Sequence, residues 1–126
     1  MYIINCKDPG VSLALVPWYV PLTGTRLEIG WELHERLRQF PEDTLCGIFY
    51  ENGIKGMFIA YCRYDDVFIW QANVPKNKYV GLILDTVILW AKARGYSWVR
   101  LITNRRRPMK RRFGFIGRGI ELEKRI

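Results

Sequence analysis

The chain of 126 residues is short of most of the residue types that would narrow its chemistry at once. Its three cysteines, Cys6, Cys46 and Cys62, lie far apart, with no Cys-x-x-Cys pair among them and one histidine, His34, to help complete a ligand set. That combination makes neither a zinc site nor a disulfide framework, and an odd number of thiols suits a reducing compartment. The apolar stretch 11–16 is interrupted on both sides by Asp8, Pro9 and Pro17 and has no basic start ahead of it, so a signal peptide is not expected. The longest apolar run, beginning at Tyr79, carries Asp85 and is too short to span a bilayer. A cytoplasmic protein without a membrane segment is therefore expected. Acidic residues are scarce at one end only. Through residue 91 eight basic residues face ten acidic ones, whereas from residue 92 onward twelve face two, within an overall formal charge of +8. Such a local surplus must meet water or an anion.

What is present reads as one domain, 1–126, long enough to bury a core without staples. Residues 67–74 have the composition of a buried strand, 75–78 of a short polar loop, 79–94 of an apolar helix and 97–103 of a second strand. The helix shows Leu82, Ile83, Val87, Leu89, Trp90 and Ala93 over more than half of its circumference, which predicts deep burial against a sheet. Lys92, Arg94 and Gly95 suit its end. A strand, a tight loop, a helix and a second strand predict a parallel pair with a right-handed crossover. Upstream, Leu45–Glu51 and Ile54–Arg63 flank Asn52-Gly53, a hairpin signal, and Tyr64-Asp65-Asp66 turns the chain again, so a three-strand antiparallel meander feeds the parallel pair. Gly47 and Gly56 within those strands mark bulges or a place where a ligand comes close to the backbone. Thr25 and Glu28 form a capping box for a helix that puts Ile29, Leu33, Leu37 and Phe40 on one face and ends before Pro41. Residues 1–5 and 13–19 read as strands, or as a strand and an irregular lead-in. The fold class expected is α/β (α+β), with a mixed, mostly antiparallel sheet and helices on both faces.

The helix that follows the strand and loop leaves its first amides without partners, which attracts anions and points to a phosphate-bearing ligand. At this point the order of motifs resembles the GNAT acyltransferases: Val74-Pro75 at the strand end, Trp90-Ala91 with Gly95 closing the long helix, Asn104 after the next strand, and Gly114-Phe115. The resemblance is good over about the last 80 residues. It implies a sheet that splays between the parallel strands to admit the pantetheine arm of acyl-CoA, with acetyl-CoA or another acyl-CoA as donor and an amine of a small molecule or protein as acceptor. On this resemblance the backbone of Val74 holds pantetheine, Lys76, Asn77, Lys78, Tyr79, Val80 and Gly81 hold the pyrophosphate, and Asn104 and Arg107 meet the far end of the cofactor. The family's glycine-rich turn is reduced here to Gly81; Lys76 and Lys78 offer charge instead. An ordinary solvated turn is the alternative.

For catalysis the resemblance asks for a carboxylate on or beside the strand at 67–74, where this chain has Gln71 and Asn73, and for a tyrosine at a position that falls near Lys110. Glu51, Asp65 and Asp66 read as surface residues of turns, and His34 as a packing or surface residue beside an apolar face. The cysteines read as buried structural thiols. The run Arg105-Arg106-Arg107-Pro108-Met109-Lys110-Arg111-Arg112 suits the 3′-phosphate of CoA, an acidic partner protein or a nucleic acid, and the lack of interleaved aromatics argues against stacked single strands. A second reading is a protein that keeps this fold without its chemistry and binds another protein, using the basic end with Trp18 and Tyr19. Small divergent proteins of this kind are similar to ones encoded by bacteriophages, which suggests a modulator of host metabolism.

Overall fold

The computed structural model describes residues 1–22 and 24–126. Six strands form one sheet in sequence order: β1 (Tyr2–Asn5), β2 (Thr44–Tyr50), β3 (Ile54–Cys62), β4 (Asp66–Asn73), β5 (Trp98–Ile102) and β6 (Glu121–Arg125). All neighbours are antiparallel except β4 and β5, which the crossover helix α3 (Val80–Ala93) joins in parallel. On one face lie α3 and α4 (Arg106–Phe113), on the other the short α1 (Val11–Ala14) and α2 (Arg26–Gln39).

Local chemistry sets most of these elements. The Thr25 hydroxyl accepts the Glu28 amide at 3.1 Å and starts α2, whose Ile29, Leu33 and Leu37 are buried on β2 and β3. Each such aliphatic side chain contributes about 1.5–3 kcal/mol by leaving water. Phe40, expected on the same face, is 53% exposed, because Pro41 breaks the helical phase just after it. At the β2–β3 connection Asn52 and Gly53 both take positive φ, +54° and +127°, as the hairpin signal requires. Residues 13–19 are not a strand: α1 and a 3-10 turn (Val16–Trp18) carry the chain across the second core, and residues 2–5 supply the edge strand. Tyr19, expected as a surface contact, is buried and donates its hydroxyl to Ser12 O at 2.7 Å; Trp18 is half-buried. The buried stripe of α3 is Ile83, Leu84, Val87 and Ala91, narrower than its composition suggests, with Leu82 and Leu89 turned to solvent. β6 has no counterpart in the sequence reading. Its alternating charges hide a strand in which Leu122 alone is fully buried.

Two glycines have steric work. A Cβ on Gly47 would lie 2.2 Å from the ring of its cross-strand partner Phe58, and one on Gly56 would lie 2.5 Å from Asn73 O and 2.9 Å from Pro75 Cδ. The space beside these glycines, expected to mark a bulge or admit a ligand, is instead filled by the chain itself, and at Gly56 the contact seats the end of β4.

The start of the parallel pair is locked by charge. Asp66, expected at the surface, is buried; Arg63 donates to both its oxygens and Arg100 reaches Oδ2 at 2.7 Å while also bonding Asp65 and Glu123. Burial acts to raise the Asp66 carboxyl, yet the hydrogen bonds from the two guanidinium groups outweigh it and hold the group below its usual range.

Candidate functional site

β4 and β5 are paired from Asp66 opposite Trp98 to Ile69 opposite Leu101, and no further. β4 continues through Trp70 to Asn73 without a neighbour on that side. Two local features separate the strands. Ile59 faces Gln71 while Ala60 faces Ile69, so Trp70 is an extra residue and β4 bends there. Beyond β5 the amide of Thr103 bonds Ile120 O at 2.9 Å, which draws the chain towards β6. The result is a V whose closed end is the Asp66 network and whose open arm offers unpaired backbone to an extended ligand. Ala72 is exposed although its cross-strand neighbour Phe58 is wholly buried, so the opening reaches the face covered by α3.

The turn that follows β4 carries the expected phosphate residues. Val74 is half-buried against the core below α3, and Lys76, Asn77 and Lys78 are exposed. A 3-10 turn (Asn77–Tyr79) runs directly into α3, and in it the amides of Tyr79 and Val80 are already taken by the carbonyls of Lys76 and Asn77. The free amides are thus shifted back to Asn77 and Lys78, which have no protein acceptor among the described residues. No acidic residue lies in the first turn of α3, and Gly81 is helical with only Phe113 within reach of an added Cβ, at 3.6 Å. Arg105 reaches over from the start of α4 to Asn77 Oδ1 at 2.8 Å, while Asn104 and Arg107 are exposed beside it in sequence. Positive charge and the helix dipole coincide at this mouth, which suits a phosphate.

On the other face, beneath α2, a depression of about 200 Å³ adjoins the parting strands and is lined by Leu22, Glu32, Tyr61, Phe68, Trp70, Gln71 and Ile102. Its rings form a ladder, Tyr61 lying edge-on to Phe68 at 5.6 Å and to Trp70 at 6.0 Å. Burial raises the Tyr61 phenol above its ordinary range although Arg36 pulls it down. Glu32 projects from α2 and accepts Arg36 Nη2 at 3.2 Å. A wider hollow of about 530 Å³, between Tyr64-Asp65 and residues 94–98, lies at the closed end of the V, away from the parting strands.

Gln71 and Asn73 point towards the same face but are occupied. Gln71 accepts the Val20 amide at 2.6 Å and returns a bond to Val20 O at 3.0 Å, and Asn73 donates to Trp18 O at 2.9 Å. Both tie the segment between α1 and α2 onto β4. Lys110 is exposed on α4. The carboxylate that does face the cleft, Glu32, drew no notice in the sequence, where its spacing to Arg36 looks like an ordinary helix-surface pair. Among the described residues there is no cluster of three or more groups able to hold a metal, and no helix is long and apolar enough to cross a membrane.

No protein-family model matches the chain, and no curated protein does. Solved structures do. A GNAT-family protein from Desulfovibrio desulfuricans superposes with a TM-score of 0.70 at 12% identity, over 99% of this chain and 97% of the other. A GNAT-family acetyltransferase from Streptococcus pneumoniae gives 0.65 at 19% identity, with 99% of each chain covered. The PaiA N-acetyltransferase of Thermoplasma acidophilum, solved with coenzyme A, gives 0.59 at 16% identity over the full length of both. The fold is that of the GNAT acetyltransferases.

Proposed function

We propose that the protein transfers an acyl group from an acyl-CoA donor, acetyl-CoA being the simplest, to an amine. The observation that carries this reading is the parting of β4 from β5 beyond Ile69 and Leu101, which leaves a strand edge for a pantetheine arm to pair with. The pantetheine lies along the end of β4 up to Val74, the pyrophosphate against Lys76 to Gly81, and the 3′-phosphate by Asn104, Arg105 and Arg107. The residues present suit such a donor: the mouth carries Lys76, Lys78 and Arg105, and the first turn of α3 holds no competing carboxylate. When bound, the donor supplies a thioester. The chain itself aligns the reactants, which can lower a barrier by about 7–11 kcal/mol, and provides a group to receive the amine proton, worth roughly 10²–10⁴ in rate.

Isothermal titration and thermal unfolding with acetyl-CoA and CoA test this directly. Heat of binding and a raised unfolding midpoint are expected. Neither signal at millimolar ligand would end the reading. Replacing Lys76 and Lys78 together by alanine is expected to weaken CoA by about tenfold, from two charge contacts of roughly 0.7 kcal/mol each. Unchanged affinity removes the turn from the site.

A second reading, binding of an acidic partner protein without transfer, is favoured by α4, where Arg107, Lys110, Arg111 and Arg112 are exposed and have no carboxylate partner among the described residues. Association found in a native lysate would then fall with salt and be abolished by Arg111→Glu with Arg112→Glu. Association indifferent to both excludes α4 as its seat.

A further inference from the structure

The depression beneath α2 has a chemistry that selects among amines. Glu32 is the one ionised group in its lining, and the rest is three aromatic rings, two aliphatic side chains and Gln71, whose amide is occupied by Val20. Two of the rings already carry a cation of the chain: Arg36 sits 3.6 Å from the centre of Tyr61 and Arg63 4.2 Å from that of Phe68. The faces of these rings hold positive charge by their quadrupoles. Arg36 uses Oε1 of Glu32 and leaves Oε2 without a protein donor among the described residues. Arg36 lies outside the lining, with Nη2 on Glu32, its guanidinium over Tyr61 and its Nε buried without a hydrogen-bond partner among the described residues; the lining itself holds no cation to receive a carboxylate of a ligand. At about 200 Å³ the space is below the roughly 300–1,000 Å³ of pockets that enclose whole drug-sized molecules, so it admits a chain end and not a multi-ring amine.

We propose that this slot is the acceptor subsite, and that it takes the cationic end of an unbranched alkyl amine, as in diamines and polyamines, in preference to amines that bear a carboxylate. The assignment rests on the acyl-transfer reading above. Oε2 of Glu32 receives the proton that the ammonium sheds and releases it to solvent; the freed nitrogen bonds the acyl carbon and gives Glu32 a second proton, and the carbon–sulfur bond breaks with its electron pair going to sulfur. That second proton passes from Glu32 to the thiolate, so that an amide, a free thiol and one proton in solvent result and nothing is oxidised or reduced.

A matched pair of probes isolates the charge: 1,4-diaminobutane and 4-aminobutanoate have the same length and differ in whether the far end is a cation or an anion. With acetyl-CoA and a thiol-release assay, kcat/KM is expected to favour the diamine by at least about tenfold. Glu32→Gln should cut diamine turnover by about 10²-fold while CoA affinity and the unfolding midpoint stay as they were. Equal rates for the two probes, or an unaffected Glu32→Gln enzyme, with CoA binding intact, overturn the slot assignment and leave acyl transfer standing. Failure to bind CoA overturns acyl transfer instead. The slot is then judged by tryptophan fluorescence alone: 1,4-diaminobutane is expected to change the emission of the unaltered chain and to lose that effect in Glu32→Gln and in Trp70→Phe, and no change in the unaltered chain overturns it.

Discussion

Asp66 shows how much one side chain can organise. It stands at the first paired position of the parallel strands and joins Arg63 to Arg100 across them. Its carboxyl is depressed in the folded state, so the stability it contributes is present above the ordinary carboxylate range near pH 4 and is lost as pH falls through its lower native value. Asp66→Asn is therefore expected to cost about 1.5–3 kcal/mol at neutral pH in urea unfolding, and to flatten the fall in stability below about pH 4. A variant as acid-labile as the parent would show that other carboxylates govern that fall. Gly56 offers a steric counterpart. Its alanine variant must displace the Asn73 carbonyl or Pro75, at an expected cost of about 1–3 kcal/mol, and should loosen CoA as well because the end of β4 moves. Gly81→Ala behaves in the opposite way, gaining up to about 0.5–1 kcal/mol of helix stability because its Cβ meets no close neighbour, with CoA titration reporting whether a ligand requires the bare backbone there. Burial pushes the Cys46 thiol up to about 12, aided by Cys6, so Cys46 is expected to resist alkylation in the native state at pH 8 and to react once the chain is unfolded.

At the scale of elements, the segment between α1 and α2 is fastened to β4 by two amide side chains. Gln71→Ala strands the Val20 amide and carbonyl and is expected to cost about 1–3 kcal/mol, and to raise KM for an acceptor more than it changes CoA affinity, since Val20 leads into the Leu22 wall of the slot. Equal effects on both ligands would mean that β4 as a whole had shifted. This fastening was not legible in the chain, since the polar residues where a catalytic carboxylate was sought bond to residues more than fifty positions away. The hairpin at Asn52-Gly53, the Thr25–Glu28 cap and the α3 terminus at Gly95 were legible because each signal is complete within a few residues. β6 and the burial of Asp66 were not, because charged residues read as surface until Arg100, Glu123 and Leu122 are brought together by the sheet. Glu32 escaped notice for the same reason in reverse, as its local partner Arg36 concealed the cleft that α2 carries it to.

For the molecule as a whole, the fold follows from the order of its elements, and the likeness to GNAT structures at 12–19% identity shows how little side-chain agreement that order requires. The charge surplus that the sequence concentrates beyond residue 91 is carried at the surface chiefly by α4 and the residues just before it. If this end meets nucleic acid, binding must fall steeply between low and moderate salt by release of counterions, and a gel-shift series with a flat salt response removes that role. The ionic lock and the parting strands lie at opposite ends of one strand pair, much as the spring and the jaws of a clothes peg do. Substitutions at the jaws can accumulate while the spring keeps the two arms in register. Under the proposed acyl transfer, a glycine-poor turn after β4 and a carboxylate carried in by α2 are then changes in grip, made on a frame whose rigidity is held elsewhere.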